Sequence, residues 1–244
     1  MNEDIKVSII TVCYNSEKTI QKTIESVLHQ SYGNIEYLII DGASTDHTVE
    51  IIKKMEPLFK GRMKWVSESD KGIYDAMNKG IQKASGQLIG IINSDDFYEL
   101  DAVTNMVLKY DGKPYQILYG MTRMMKEGKE YAISIQSHEF LNESMISHPS
   151  CFITADIYQN LGSYDTAYKS VADYDFMLRM KENKQVTFKP VYRLIANFSL
   201  GGMCASSFAY EELVKLRKKY GMISNREYQH IIVKNKIYHL FKRK

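Results

Sequence analysis

The chain has 244 residues, of which 44% are hydrophobic, 25% charged and 11% aromatic; this is ordinary globular usage and excludes a disordered, collagen-like or disulfide-built molecule. Four prolines and fourteen glycines leave no Pro/Gly-rich linker, so one compact unit is expected. The net charge of +3 combines two unlike parts: residues 215–244 hold ten Lys or Arg against one acid, Glu227, giving +9 and leaving −6 for residues 1–214.

A basic tail on an acidic body points to a polyanionic surface, either nucleic acid or an anionic membrane leaflet. The first twelve residues place two acids before a short apolar run and lack the basic start and cleavage site of a secretory signal, so a cytoplasmic location is expected. No run approaches the roughly 18 apolar residues of a membrane-spanning helix. Cys13, Cys151 and Cys204 are scattered, without zinc spacing, and are expected to be reduced and mostly buried.

Residues 7–12 are a β-branched apolar run that reads as a buried strand. Ile20, Ile24, Val27 and Leu28 follow at helical spacing, behind Asn15 and Ser16 as capping candidates. Residues 35–40 repeat the strand signal, and Val49, Ile52, Met55 and Phe59 fall on one helical face. A short strand at 64–66, a helix over 73–84 and a buried strand at 88–92 complete an alternation of apolar strands and amphipathic helices. That alternation predicts a parallel sheet covered on both faces, with right-handed crossovers. Past Tyr115 the rhythm changes. Strand-like stretches flank a hairpin turn at Glu127, Gly128 and Lys129, and the runs at 186–188 and 192–198 are extended, so the second half is predicted to be mixed. Two helical patterns follow residue 206.

In open α/β sheets ligands bind beyond the carboxyl ends of the parallel strands. Those ends carry Thr11, Tyr14 and Asn15, then Asp41, Gly42 and Ser44, then Asn93, Ser94, Asp95 and Asp96, and all are predicted to face one crevice. Asp41-Gly42 reads equally as a turn or a site. Asp95-Asp96 reads as a site, since adjacent carboxylates after a buried strand repel unless a cation offsets them; a plain turn or helix cap is the other reading. Mn²⁺ and Mg²⁺ commonly take one or two carboxylates and complete their shell with water and phosphates. The chain has neither GxGxxG nor GxxxxGK[ST], which argues against a dehydrogenase or P-loop enzyme and favours a nucleoside diphosphate neutralised through a metal.

SIITVCYN, IIDGASTDHT, SESDKGIYDAMNKGI and GIINSDD occur in this order over residues 8–96. Together they resemble a family 2 glycosyltransferase of the GT-A type, most like those of bacterial O-antigen and capsule synthesis. The resemblance implies an α/β GT-A fold, with a Rossmann-like, mostly parallel central sheet, helices on both faces, a mixed second half and C-terminal helices. It implies a catalytic domain over residues 1–205, with a nucleotide-sugar half to about 112 and an acceptor half from about 113, followed by a basic helical extension over 206–244. It further implies that Thr11, Tyr14 and Asn15 lie against the base and ribose and that Asp41 bonds the uracil or ribose. Asp70, Lys71, Gly72, Asp75 and Asn78 would touch the nucleotide and donor sugar. Ser94, Asp95 and Asp96 stand at the DXD motif, with Asp96 the direct metal ligand and Asp95 a ligand or donor-sugar contact.

HPSCFI, GSYDTAY and ADYDFMLR extend the resemblance to about residue 180. The family opens a helix there with a Glu-Asp pair; this chain has Ala172-Asp173, so the Glu is missing, Asp173 is the expected base and Asp175 the fallback. A helix cap is the structural alternative for Asp173. His148 reads as a structural histidine or as an acceptor or phosphate contact. Gly201-Gly202 reads as a turn, or by resemblance as a loop near the diphosphate. The implied activity is inverting transfer of a sugar from a nucleotide diphosphate donor, UDP by resemblance, to a hydroxyl of a lipid-linked glycan at the anionic inner membrane face, with Mn²⁺ or Mg²⁺. A peripheral location there follows, through a tail helix with Ile231, Ile232, Ile237 and Leu240 among lysines. The rivals are a nucleotide- or glycan-binding subunit without catalysis, which the missing Glu keeps open, and a nucleotidyltransferase. A nucleic-acid partner is not expected, because the tail lacks interleaved aromatics.

Overall fold

Each apolar run in the first hundred residues forms a strand, and each amphipathic stretch forms the helix that returns to the sheet. The computed structural model describes residues 5–201 and 207–242. In chain order come β1 (Val7–Cys13), α1 (Ile20–Leu28), β2 (Ile35–Asp41), α2 (Thr48–Met55), β3 (Met63–Ser67), α3 (Ile73–Lys83) and β4 (Leu88–Ile91). β1 lies between β2 and β4, and β2 pairs with β3, all parallel, in a register that sets Cys13 beside Asp41 and Asp41 beside Ser67. Side chains alternate across a strand. β1 therefore sends Val7, Ile9 and Cys13 into the layer under α1 and α2, and Ile10 and Val12 into the layer under α3. Both layers exclude water, which is why these strands read as continuous apolar runs. α3 approaches β1 so closely that a Cβ on Gly80 would lie 2.5 Å from Ile10 Cγ2.

The second half comprises β5 (Phe97–Tyr98), α4 (Ala102–Lys109), β6 (Gln116–Lys126), β7 (Lys129–Ser134), β8 (Cys151–Thr154), α5 (Ala155–Asn160), α6 (Ala172–Glu182), β9 (Thr187–Ser199), α7 (Ser207–Lys219) and α8 (Asn225–Lys242). The described strands form one nine-stranded sheet in the order β3-β2-β1-β4-β8-β6-β9-β5, with β7 paired to β6. β8 runs antiparallel to β4 and β6, whereas β9 runs parallel to β6, so the sheet is mixed beyond β4. Glu127 (φ 50°) and Gly128 (φ 77°) are both left-handed and close the β6–β7 hairpin, the backbone a two-residue type I′ turn requires. The extended runs expected at 186–188 and 192–198 are one strand, whose pairing with β6 shifts register between Gly120 and Thr122. The helix expected to reach Phe59 stops at Met55, and residues Glu56–Phe59 tighten into a 3₁₀ turn because Pro57 has no N–H to continue the ladder.

α7 belongs to the same packed body: Val214 and Leu216 are buried, and Leu216 joins the layer beneath α6. Asp175 on α6 is buried and accepts hydrogen bonds from Arg179 Nε (2.9 Å), Lys219 Nζ (2.8 Å) and Tyr220 Oη (3.1 Å). Burial alone would raise its pKa, but Lys219 and Arg179 outweigh that and hold it below the usual carboxylate range. In α8 the consecutive residues Ile231, Ile232 and Val233 sweep about 200° of the helix at 3.6 residues per turn. They do not form a single apolar face, so the tail's distinguishing feature is its charge. No described helix is long and apolar enough to cross a membrane. Cys13 and Cys151 are buried free thiols whose pKa burial pushes up, and Cys204 lies outside the described residues.

Candidate active site

The carboxyl ends of β1, β2 and β3 form a polar floor. Asp41 is fully buried and accepts from Ser44 N–H (3.0 Å) and Ser67 Oγ (2.6 Å), and the Ser44 hydroxyl also donates to it. Its carboxylate thereby ties two strand ends to the loop after β2. Asn15 (φ 49°) does not cap α1, which begins at Ile20. Its backbone N–H donates to Ser44 Oγ at 2.8 Å and its side-chain oxygen accepts from Thr45 N–H at 2.8 Å, clamping the first loop to the second. Thr11 departs from expectation. It is fully buried two residues before the end of β1 and accepts from Tyr37 Oη at 3.0 Å, so strand alternation turns it into the core layer and away from the crevice.

One wall is Tyr14, 63% exposed, beside Gly42. A Cβ on Gly42 would lie 3.1 Å from Asp70 Oδ2 and 3.5 Å from Tyr14 Cβ, so a side chain there would press on Asp70. Asp70 pairs with Lys79 Nζ at 2.6 Å, and the same ammonium lies 3.0 Å from Glu68 and 3.7 Å from Asp75. Hydrogen bonding to Asp70 pushes the Lys79 pKa up, which keeps it a cation among these acids. Lys79 was not singled out from the sequence; its place one turn after Asp75 on α3 was the available signal. Asp75 accepts from Lys71 N–H at 3.0 Å and so fixes the turn at Gly72, whose φ of 129° only glycine adopts readily. Asn78 does not join the crevice. Its amide donates to Tyr164 O at 2.8 Å and accepts from Tyr164 N–H at 3.1 Å, so both ends are engaged by the Tyr164 backbone.

The opposite wall follows β4. Ser94 shares a 2.8 Å hydrogen bond with Ser16. Asp95 lies at the crevice, where desolvation raises its pKa and a hydrogen bond from its own backbone N–H offsets part of the rise. Asp96 is buried, with Oδ1 accepting from Ser199 N–H at 2.8 Å and Oδ2 without a hydrogen-bond partner. Burial, then the Asp95 charge, pushes the Asp96 carboxyl well above the usual range. An orphaned buried oxygen beside a second carboxylate fits a divalent cation. Among the described residues no group of three or more His, Cys, Asp or Glu could hold a metal, so such a cation would draw the rest of its shell from water and phosphate.

Asp173 stands at the start of α6, 8% exposed. Its Oδ1 accepts from Tyr74 Oη (2.8 Å) and Tyr174 N–H (3.0 Å), and its Oδ2 lies 3.5 Å from His148 Nδ1. The other imidazole nitrogen lies 3.3 Å from Asn93 Nδ2 at the end of β4. His148 therefore lies between the segment after β4 that carries Asp95 and Asp96 and the acid of the second half, and Tyr74 reaches the same acid from α3. Ala172, where the resemblance expects a glutamate, is fully buried in the core. The expected fallback, Asp175, faces away and is locked between Arg179 and Lys219. Gly202 lies outside the described residues.

The chain as a whole is similar to known proteins. The chain is 25% identical over 210 residues, 85% of its length and 82% of the relative's, to a PGL/p-HBAD biosynthesis glycosyltransferase of Mycobacterium bovis. Among solved structures, S. aureus TarS in complex with UDP-GlcNAc has a TM-score of 0.69 at 19% identity, covering 93% of this chain and 69% of that one. A Pyrobaculum calidifontis mannosyltransferase in complex with GDP-Man and Mn²⁺ has a TM-score of 0.68 at 16% identity, covering 91% of this chain and 65% of that one. At such identities the likeness is one of fold, and the fold is GT-A. The model of glycosyl transferase family 2 matches residues 8–171, a stretch that holds the strand-end floor, the Asp95-Asp96 wall and His148, and the chain belongs to that family.

Proposed function

We propose that the protein is an inverting glycosyltransferase that moves a sugar from a nucleoside diphosphate donor, a UDP-sugar, to a hydroxyl of a lipid-linked glycan in surface polysaccharide synthesis. The observation that carries this reading is the pair of acid walls joined through His148: Asp95 and Asp96 on one side, Asp173 on the other. In this reading Asp173 takes the proton of the acceptor hydroxyl as its oxygen bonds the anomeric carbon, and the bond from that carbon to the diphosphate oxygen breaks on the opposite face. A divalent cation held by Asp95 and Asp96, Mn²⁺ or Mg²⁺, would supply charge against the leaving diphosphate. The mannosyltransferase neighbour was solved with Mn²⁺ and TarS with UDP-GlcNAc, which supports a metal and a nucleotide-sugar here. Tyr14, Gly42 and Asp70 would line the base and ribose.

Thermal stabilisation by UDP, GDP, CDP and dTDP, each with and without Mn²⁺, tests the donor half of this reading, because a ligand that binds only the folded chain stabilises it by about 2.7 kcal/mol at a hundred times its Kd. The expected result is stabilisation by UDP that requires Mn²⁺. No response to any of the four would overturn the donor assignment and favour a binding subunit without catalysis, the reading that the missing glutamate at Ala172 keeps open.

The acceptor half draws on the tail, whose charge of +9 over residues 215–244 suits an anionic leaflet at roughly 1 kcal/mol per basic residue near the surface. The full chain is expected to float with anionic vesicles, and a chain ending at Tyr220 to do so less. Equal flotation would remove residues 221–244 from membrane binding.

A further inference from the structure

Asp173 does not stand alone in its wall, and its partners come from both halves of the chain. Asp173 Oδ2, a carboxylate oxygen that only accepts, lies 3.5 Å from His148 Nδ1, so the proton of the neutral imidazole belongs on Nδ1 and Nε2 is left to accept from Asn93 Nδ2 at 3.3 Å. Burial lowers the His148 pKa, Asp173 and Asp95 offsetting only part of this, in keeping with a neutral ring. His148 itself is set by a 3₁₀ turn, His148–Ser150, whose second residue is Pro149. Tyr74 is held with its ring 5.6 Å from that of Tyr164.

We propose that His148 is a positioning residue for Asp173. Its Nδ1–H orients Oδ2, while Tyr74 Oη and Tyr174 N–H occupy Oδ1, so the carboxylate presents one oxygen in one direction to the acceptor hydroxyl. Through Asn93 that direction is tied to the end of β4, which carries Asp95 and Asp96. Donor wall and base thereby keep a common geometry without a direct contact between the acids.

This inference rests on Asp173 being the base, and the experiment separates the two. Hydrolysis of UDP-GlcNAc by the full chain with Mn²⁺, read as UDP release, gives kcat and donor KM, and UDP-dependent stabilisation reports donor binding independently. His148→Ala is expected to lower kcat on the order of 10²-fold, the scale of a misplaced reacting group, with KM and UDP stabilisation unchanged. His148→Asn sets an amide N–H close to the place of Nδ1 and is expected to remain within about tenfold of the parent, the worth of one hydrogen bond. His148→Gln sets its amide at the place of Nε2 and is expected to behave like His148→Ala. Tyr74→Phe keeps the ring packing and loses only the O–H; a several-fold fall in kcat without loss of stability is expected. Equal loss in the Asn and Ala variants would overturn the inference in favour of the imidazole itself exchanging the proton, and undiminished kcat in His148→Ala or Tyr74→Phe would overturn it outright. Full activity of Asp173→Asn, by contrast, would sink the assignment of the base.

Discussion

Asp173→Asn is expected to lower turnover by about 10²- to 10⁴-fold, roughly 3 to 5 kcal/mol of barrier, while leaving nucleotide-dependent stabilisation intact. The substitution is isosteric, and its remaining carbonyl oxygen can still accept from Tyr74 Oη and Tyr174 N–H, so the start of α6 keeps its hydrogen bonds. What disappears is the ability to take a proton. A carboxylate is a weak base for a ground-state alcohol, but the hydroxyl becomes acidic as it bonds an oxocarbenium-like carbon, so the transfer can be late. Steady-state transfer or donor hydrolysis, measured beside UDP-induced stabilisation, checks this. Undiminished turnover would remove Asp173 from the mechanism, and loss of nucleotide binding in parallel would make it a donor contact instead.

Asp96→Asn is expected to act in opposite directions on stability and on binding. Asp96 is buried with one oxygen unpartnered beside Asp95, and its pKa is raised well above 3.8. A carboxyl whose folded pKa is raised weakens the fold once pH exceeds the unfolded value: the penalty sets in as pH rises through about 4 and is complete above the folded pKa. A neutral amide removes that penalty while its oxygen still accepts from Ser199 N–H, so the ligand-free variant should melt no lower than the parent at neutral pH, and higher if the repulsion dominates. The same change removes the buried negative charge that a cation would neutralise, and Mn²⁺-dependent stabilisation by UDP should fall at least tenfold in apparent affinity, about 1.4 kcal/mol. Melting curves from pH 4 to 8, with and without UDP and Mn²⁺, resolve both effects. A lower melting temperature of the ligand-free variant, with unchanged Mn²⁺ dependence, would make Asp96 a structural residue.

Several features were legible because they are local. Strand and helix periods, the Glu127-Gly128 turn, and the polar residues at three strand ends depend on side-chain alternation and on backbone conformation that only a few residues adopt, and both are written in short stretches of sequence. β5, of two residues, carries too little pattern to detect, and it forms because the longer β9 offers it hydrogen-bond partners. Register was equally hidden. The shift at Gly120–Thr122 falls where the two apparent strands meet and lets both pair with β6 as one strand, β9.

The site divides along the same line. The sequence alone supplied the candidates for chemistry, Asp95 and Asp96 by residue type and their place after a strand, and Asp173 by its resemblance to the family. Which of them meet was decided by packing between segments far apart in the chain. Tyr74 reaches Asp173 across 99 positions and Asn93 reaches His148 across 55, contacts that no local spacing encodes. Asp173 and Asp175 look alike in ADYDFMLR, two acids in one helical turn. They point to different sides of α6, so one receives Tyr74 and His148 at the crevice while the other receives Arg179 and Lys219 in the body. Thr11 and Asn78 were drawn into the core layer and onto the Tyr164 backbone for the same reason: a side chain's partner depends on what the rest of the fold brings to that face.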